Sequence, residues 1–536
     1  MSSIALTPTA VSRPAVNPWV VAAAVIIPTF MEVLDTTVAV VSLRYIAGDL
    51  SAAVVDAEWI LTSYLAANAT ILPISGWLSA RLGRRNYFLS SIAVFVIASA
   101  LCGMATSLWQ IILFRVIQGL AGGGLQPSSQ AILIDSFPPE KQGMAMTMFG
   151  IAALTAPVVG PTLGGYLADY HNWRWIFYIN IPIGGVALLL SYFLVKDPDY
   201  LKEERAELLR KPLNFDYIGL ALLALVMSAW EVLITKGQEW DWLWDPFGKV
   251  QTLLILVVVG GIGLVVWEMR HPSPVVNFRP LGERNFLVCS ILIFFAYAVL
   301  YATSTTLPGL LQSLFGYNAY HSGLVMSPSG IASVGMLLVA GALLGRGTDA
   351  RWLIGGGLLI LAAGSYWTAV MNLQISPWQV ICPRIVLITG LGMAFAPINV
   401  ATFIYMPRHL RAAAVGLFAL LRNEGGSFGT SMAQTLQVRR DQFHTWRVGE
   451  FLDSFNPTLN SYLAQARSFF FQQTGDGPGA QRMALQRLAD LREQQAASLA
   501  YFDVFFVSAV LAVALVFLVL LMKRSVAEKG AHIGAE

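Results

Sequence analysis

Glu32 and Asp35 stand three residues apart inside the apolar stretch 18–43. That spacing brings both carboxyls to one face of a helix. Asp35 lies about 24 Å along such a helix from Trp19. Arg115, Glu231 and Glu424 interrupt other long apolar stretches. An ionisable side chain in that setting is costly unless paired or hydrated, so its presence points to a working role. A carboxyl shielded from water can hold a proton near neutral pH and release it when a cation arrives. That exchange is the minimal chemistry of antiport, and Asp35, Glu32, Arg115 and Glu424 are the candidates to carry it. The competing reading is a structural salt bridge to Arg115 or Arg422.

Asn68, Gln126, Gln130, Tyr297, Tyr301 and Asn399 place polar or aromatic groups in similar stretches. They are candidates to line a substrate cavity, although buried polar residues also stitch helices together. No G-x-x-x-x-G-K-[ST], H-E-x-x-H or G-x-S-x-G segment occurs, which argues against ATP hydrolysis and against a membrane hydrolase. An enzyme is not expected. Energy must then come from an ion gradient, worth about 2.3 kcal/mol per charge per 100 mV. Cys102, Cys289 and Cys382 lie singly in apolar stretches and read as small core residues; no metal, disulfide or cofactor is called for.

The elements that position these groups must live in lipid. Apolar residues make up 56% of the chain and charged residues 12%, about half the roughly 25% of a soluble protein. A spanning helix needs about 20 apolar residues, and stretches of that length recur from Trp19 to Met522. The alternation of a membrane barrel is absent. An all-α membrane protein follows, because each span must satisfy its own backbone. The net charge of +3 gives no case for nucleic acid. Arg13 is the only basic residue before Trp19 and no cleavage site follows, so the first stretch reads as a retained span.

Fourteen spans are expected, at about 18–43, 57–80, 86–106, 109–134, 142–168, 174–195, 215–235, 250–269, 285–308, 320–345, 352–371, 377–405, 411–437 and 498–522. With both termini in the cytoplasm, the even-numbered loops gather Arg81, Arg84, Arg85, Lys141, Lys196, Lys211, Arg279, Arg346 and Arg408, and the tail adds Lys523, Arg524 and Lys529. This is the positive-inside asymmetry. The polar insert 438–497 falls on the outer face. Asn456-Pro457 starts a helix there; Leu459, Leu463, Ala466 and Phe470 repeat at helical spacing, and a turn at Gly475 to Gly479 precedes a second stripe. A helical hairpin outside the membrane is expected, as a cap or a docking surface.

The halves echo each other: Arg115 precedes Gly119, Gly122 and Pro127, as Arg384 precedes Gly390, Gly392 and Pro397. Internal repeats with a site between halves mark secondary transporters. Several segments then carry a specific resemblance. Gly76 to Arg85, with Gly76, Arg81, Gly83, Arg84 and Arg85, resembles the loop 2–3 signature of the major facilitator superfamily. Arg115-Val116-Ile117-Gln118-Gly119 resembles its span-4 motif, and Gly150 to Gly165, with Pro157, Gly160, Pro161, Gly164 and Gly165, its antiporter motif. Leu34-Asp35-Thr36-Thr37, Trp173 to Gly184 and Arg422-Asn423-Glu424-Gly425-Gly426-Ser427 are similar to signatures of the fourteen-span drug:proton antiporters, the EmrB/QacA group. The usual aspartate of loop 2–3 is Ala80 here, and Val40 and Arg44 replace the Asn and Pro common in span 1.

The resemblance implies a major facilitator fold of two six-helix bundles plus two inserted helices. It divides the chain into an N-terminal bundle (1–197), inserted spans 7 and 8 (198–284), spans 9–13 (285–437), the periplasmic hairpin (438–497), and span 14 with a cytoplasmic tail (498–536). The implied function is proton-coupled export of amphipathic drugs by alternating access, with the arginines and span-5 glycines as gating elements. The EmrB branch further implies a bacterial inner membrane, a periplasmic adaptor and an outer-membrane channel, reached through 438–497. Export of a dedicated metabolite, siderophore or fatty acid is the first alternative, and a non-transporting receptor or scaffold the second.

Overall fold

The computed structural model describes residues 17–137, 141–210, 216–272, 274–407, 410–453 and 455–525. Arg13, Lys211, Arg408 and Lys529 lie outside the described residues. Among the described residues there is no strand, and twenty α-helices account for nearly all the structure. The first eleven are α1 (Pro18–Asp49), α2 (Val54–Ala57), α3 (Trp59–Ile71), α4 (Ser75–Leu82), α5 (Arg84–Met104), α6 (Leu108–Gly122), α7 (Leu125–Ser136), α8 (Gln142–Tyr170), α9 (Trp175–Tyr178), α10 (Asn180–Leu194) and α11 (Asp199–Arg210). The others are α12 (Tyr217–Lys236), α13 (Lys249–Arg270), α14 (Arg284–Ser313), α15 (Ala319–Gly345), α16 (Ala350–Ala369), α17 (Pro377–Phe403), α18 (Arg411–Gly449), α19 (Pro457–Thr474) and α20 (Gly477–Val519).

Among the described residues, twelve helical stretches are long and apolar enough to cross a bilayer. The two further expected spans are helical as well. One is split into α3 and α4 around Leu72-Pro73-Ile74, where proline removes a backbone donor. The other is α18, which carries Arg422, Asn423 and Glu424 within its apolar part.

Helix ends depart from expectation at the polar insert. α18 continues to Gly449, and α20 runs unbroken from Gly477 through the last span. The hairpin is therefore built on two spanning helices, with α19 folded against α20. Polar composition marks where a helix leaves lipid, not where its hydrogen bonding stops. α19 is bounded by conformational breakers: Pro457 with the Asn456 cap starts it, and Gly475 at φ +67° stops it. Cys382, expected in the core, is exposed on α17, while Cys102 and Cys289 are buried.

α1 packs on α8, α10 and α7, and α6 on α3 and α5. Farther along the chain α17 packs on α16, α15 and α14, and α18 on α14 and α20. α12 and α13 pair with each other, and α12 leans on α3 and α18. α13 exposes Val258, Val259 and Ile262, the exterior suited to lipid tails. The two groups of helices meet most closely at α8 and α15. There a Cβ on Gly323 would lie 2.2 Å from Thr162 Cα, and one on Gly165 would lie 2.6 Å from the Ala319 carbonyl carbon. Without a hydrophobic drive between helices in lipid, such backbone contact is what holds them together.

Gly323→Ala should therefore overpack this seam at a cost of about 1–3 kcal/mol, read as a lower Tm of the purified protein. Gly335→Ala on the same helix meets nothing within 4 Å and should melt like the parent.

Candidate functional site

Asp35 and Arg115 are both buried, at 2% and 0% exposure. Arg115 Nη1 lies 2.5 Å from Asp35 Oδ2. Asp35 Oδ1 accepts from Asn180 Nδ2 at 2.7 Å and Gln118 Nε2 at 3.1 Å. Arg115 Nε donates to the Ile60 carbonyl at 3.2 Å, and the guanidinium sits 4.1 Å over the Tyr64 ring. The pair clasps α1 to α3, α6 and α10, and both oxygens of Asp35 are occupied. In this state the salt-bridge reading of Asp35 describes its geometry.

Glu32 is different. Its carboxylate accepts from Asn68 Nδ2 at 3.1 Å, from the Tyr64 hydroxyl at 3.3 Å and from Gln126 Nε2. Gln126 Oε1 in turn accepts from Arg422 Nη2 on α18. Asn68 Oδ1 accepts from Asn423 Nδ2, also on α18, at 3.1 Å. Two amide side chains thus carry the Glu32 charge across to the second group of helices. Arg422 is fully buried, stands over the Phe149 and Tyr297 rings, and leaves Nε and Nη1 without partners.

The other candidates gather along the same seam. Gln130 Nε2 donates to Asn399 Oδ1 at 3.5 Å. Tyr297 stacks on Tyr301 at 6.1 Å and packs against Phe395, and Tyr301 covers Gly426. Glu424 stands apart from Glu32. It faces Glu231 of α12, whose Oε2 accepts from Ser427 Oγ at 2.7 Å. Arg422 and Glu424 are two residues apart, about 200° around a helix, so they serve different neighbours.

At the arginine-rich end, Gly83 adopts φ +87° between α4 and α5. A Cβ there would lie 3.1 Å from Arg205 Nη1 and Asp197 Oδ2. Arg84 pairs with Asp135, the Arg85 backbone N–H donates to Asp197 at 2.8 Å, and Arg205 donates to the Arg81 carbonyl at 3.0 Å. Gly76 lies within α4 and Arg81 stands over Trp77. Ala80 leaves the loop without its own acid, so the acids come from α7 and from the segment after α10. In α8, with Pro157 and Pro161 inside it, Gly160 and Gly164 receive Thr37 and Val38 of α1, while Gly165 receives α15.

Gln118, Asn180, Asn423, Asp135 and Asp197 were not among the candidates, and Arg422 was named only as a salt-bridge partner. Gln118 is one turn from Arg115, and Arg422 and Asn423 adjoin Glu424. Spacing alone could have flagged these three.

A family model described as Major Facilitator Superfamily matches residues 25–430. The chain belongs to this superfamily. The match spans Glu32 through Glu424 and stops before α19. The chain is similar to the multidrug export protein EmrB of Haemophilus influenzae, 35% identical over 83% of this chain and 86% of that protein. EmrB of Escherichia coli K12 is 33% identical over 86% and 88%. The fatty acid resistance protein FarB of Neisseria gonorrhoeae is 35% identical over 81% and 84%. The fold is shared with a bacterial homolog of the human lysosomal transporter Spinster (TM-score 0.51, 16% identity, 94% and 98% covered). It is shared too with the proton:xylose symporter XylE (TM-score 0.54, 12% identity, 92% and 94% covered).

Within this superfamily fold, Asp35→Ala should strand a buried guanidinium and cost about 3–5 kcal/mol. Asp35→Ala combined with Arg115→Met should recover most of that loss. A double-mutant cycle on thermal melts measures the coupling, and additive losses would contradict the clasp.

Proposed function

We propose that this chain is a proton-coupled antiporter that exports amphipathic drugs or toxic compounds by alternating access. One observation carries the mechanism: the Glu32 carboxylate reaches Arg422 of the other helix group through Gln126. While Glu32 is charged, the amide bridge has a charge at each end and holds α1 and α7 to α18. A proton on Glu32 removes one of those charges and weakens the bridge, so that the groups can part. A cationic or dipolar compound reaching the seam competes for the same carboxylate and displaces the proton. Proton and cargo then occupy the site in turn, which is the condition for exchange. Asp35 and Arg115 keep α1 in place during the cycle, and Glu424 with Glu231 forms a separate acidic pair. Asn68, Gln126, Gln130, Tyr297, Tyr301 and Asn399 line the path.

The working unit in this reading is the bundle 1–197 and the bundle made by 285–437 with span 14, and 198–284 is inserted between them. The basic end, with Arg81, Arg84 and Arg85, faces the cytoplasm of a bacterial inner membrane, as do both termini. The hairpin 438–497 then stands in the periplasm. α19 has no buried residue, and Phe451, Phe455 and Phe469 are exposed. This supports a partner there, an adaptor leading to an outer-membrane channel. Similarity to FarB favours a second reading, a dedicated fatty-acid-like cargo.

In everted vesicles, drug addition should collapse a preformed proton gradient. Glu32→Gln should slow this by about tenfold or more, as loss of a proton-transfer group does, while drug still binds. Normal proton release from Glu32→Gln would sink the mechanism. Deleting 445–495 keeps the contacts of Arg440 and His444 with Asp503, so α18 and α20 stay clasped. That deletion should preserve vesicle transport and abolish whole-cell resistance; equal loss in both assays would assign the hairpin to folding instead.

A further inference from the structure

Arg115 and Arg384 hold matching places, each seven residues beyond the first residue of its helix, Leu108 or Pro377. Arg115 has Asp35. Arg384, 1% exposed, has only two hydroxyls on α14: Nη1 donates to Thr303 Oγ1 at 2.8 Å and Nη2 to Ser304 Oγ at 2.6 Å. Its Nε has no partner. Among the described residues, α14, α15, α16 and α17 carry no Asp or Glu. No described carboxylate pairs with Arg384, and α8, α18 and α20 use Asp169, Glu424 and Asp503 elsewhere, while Asp441 of α18 lines a different pocket with Asp490 and Glu493 of α20. Asp169 of α8 accepts from Tyr45 and Tyr320, Glu424 of α18 faces Glu231, and Asp503 of α20 holds Arg440 and His444.

A guanidinium stays charged in proteins, and a buried charge without a counter-charge is costly. Two neutral hydroxyls accept from two of its five N–H groups and leave its charge standing. What removes that cost is an oxyanion, which the planar fork of arginine fits in bidentate fashion. The surroundings suit an amphipathic one. Ile381, three residues earlier and on the same face of α17, walls an open pocket of about 560 Å³ with Leu324, Val325 and Tyr317; Arg384, Thr303 and Ser304 lie buried behind that wall and do not line the pocket themselves. That volume is within the range of small-molecule sites.

We propose that Arg384, Thr303 and Ser304 form an anion subsite that receives the carboxylate, or a comparable oxyanion, of an amphipathic compound whose apolar body lies along the Ile381 and Val325 wall. The subsite names the class of cargo for the second reading, a fatty-acid-like compound, and rests on the export reading for that compound's being cargo. An anionic phospholipid offers the same chemistry at its headgroup, so the test must separate the two.

The full chain, purified into phosphatidylcholine nanodiscs with no proton gradient, is titrated calorimetrically with dodecanoate, dodecanol and dodecylammonium. Dodecanoate should bind, and Arg384→Gln should weaken it by about tenfold or more, as loss of a charge-assisted pair does, with dodecanol unchanged. Thr303→Asp supplies an internal counter-charge; it should raise the Tm and abolish dodecanoate binding even if Arg384→Gln fails to fold. Parent-like dodecanoate binding by Thr303→Asp, or by folded Arg384→Gln, overturns the subsite. Loss of dodecanoate binding to the parent in phosphatidylglycerol-containing nanodiscs gives the site to lipid and overturns the cargo assignment. Dodecanoate binding that persists in a chain unable to release protons in vesicles would refute the export reading and leave the subsite standing.

Discussion

The structure depends on one constraint: a charge inside the spanning region has no water to turn to, so protein must answer it. The chain meets this in three ways. Asp35 and Arg115 answer each other directly and draw in Gln118, Asn180 and the Ile60 carbonyl. Glu32 and Arg422 answer each other at one remove, through Gln126. Arg384 is answered by hydroxyls alone. These arrangements differ in how easily they come apart. A direct buried pair is lost only at high cost, whereas a bridge through a neutral amide depends on the charge at each end. The rigid and the changeable parts of the centre are therefore distinguished by chemistry although they share the helix α1.

Packing follows the same division. α1 lies against α8 through glycines that admit Thr37 and Val38, and α8 lies against α15 through Gly165 and Gly323. These contacts are backbone-close and leave no slack. The contacts between α18 and the first group of helices are instead polar and long-sided, made by Gln126, Asn68, Arg422 and Asn423. Separation at polar contacts leaves groups that water can satisfy once it enters. Separation at the glycine seam would only open a void.

Much of this was legible in the sequence. Span positions follow from apolar runs, and Asp35 and Arg115 stand out because ionisable groups are so rare in lipid. Their pairing was available as one alternative among others. The link from Glu32 to Arg422 was not legible, because Gln126 has no charge to betray it and because 32, 126 and 422 meet only in the folded chain. The acids at this loop were missed for a related reason: the loop's own position holds Ala80, and Asp135, which pairs with Arg84, and Asp197, which accepts from the Arg85 backbone N–H, sit in other segments. Helix ends at the hairpin were misjudged because polarity was taken as a stop. α19 itself is bounded by conformation, starting at Pro457 and stopping at the left-handed Gly475.

α20 is one helix from Gly477 to Val519, and its first twenty or so residues stand clear of the apolar span. At 1.5 Å per residue that arm is about 30 Å long. A rod has no place to absorb a change of angle, so a tilt of about ten degrees in the buried part displaces the far tip by about 5 Å. The tip of the arm and the buried part of α20 therefore move as one piece.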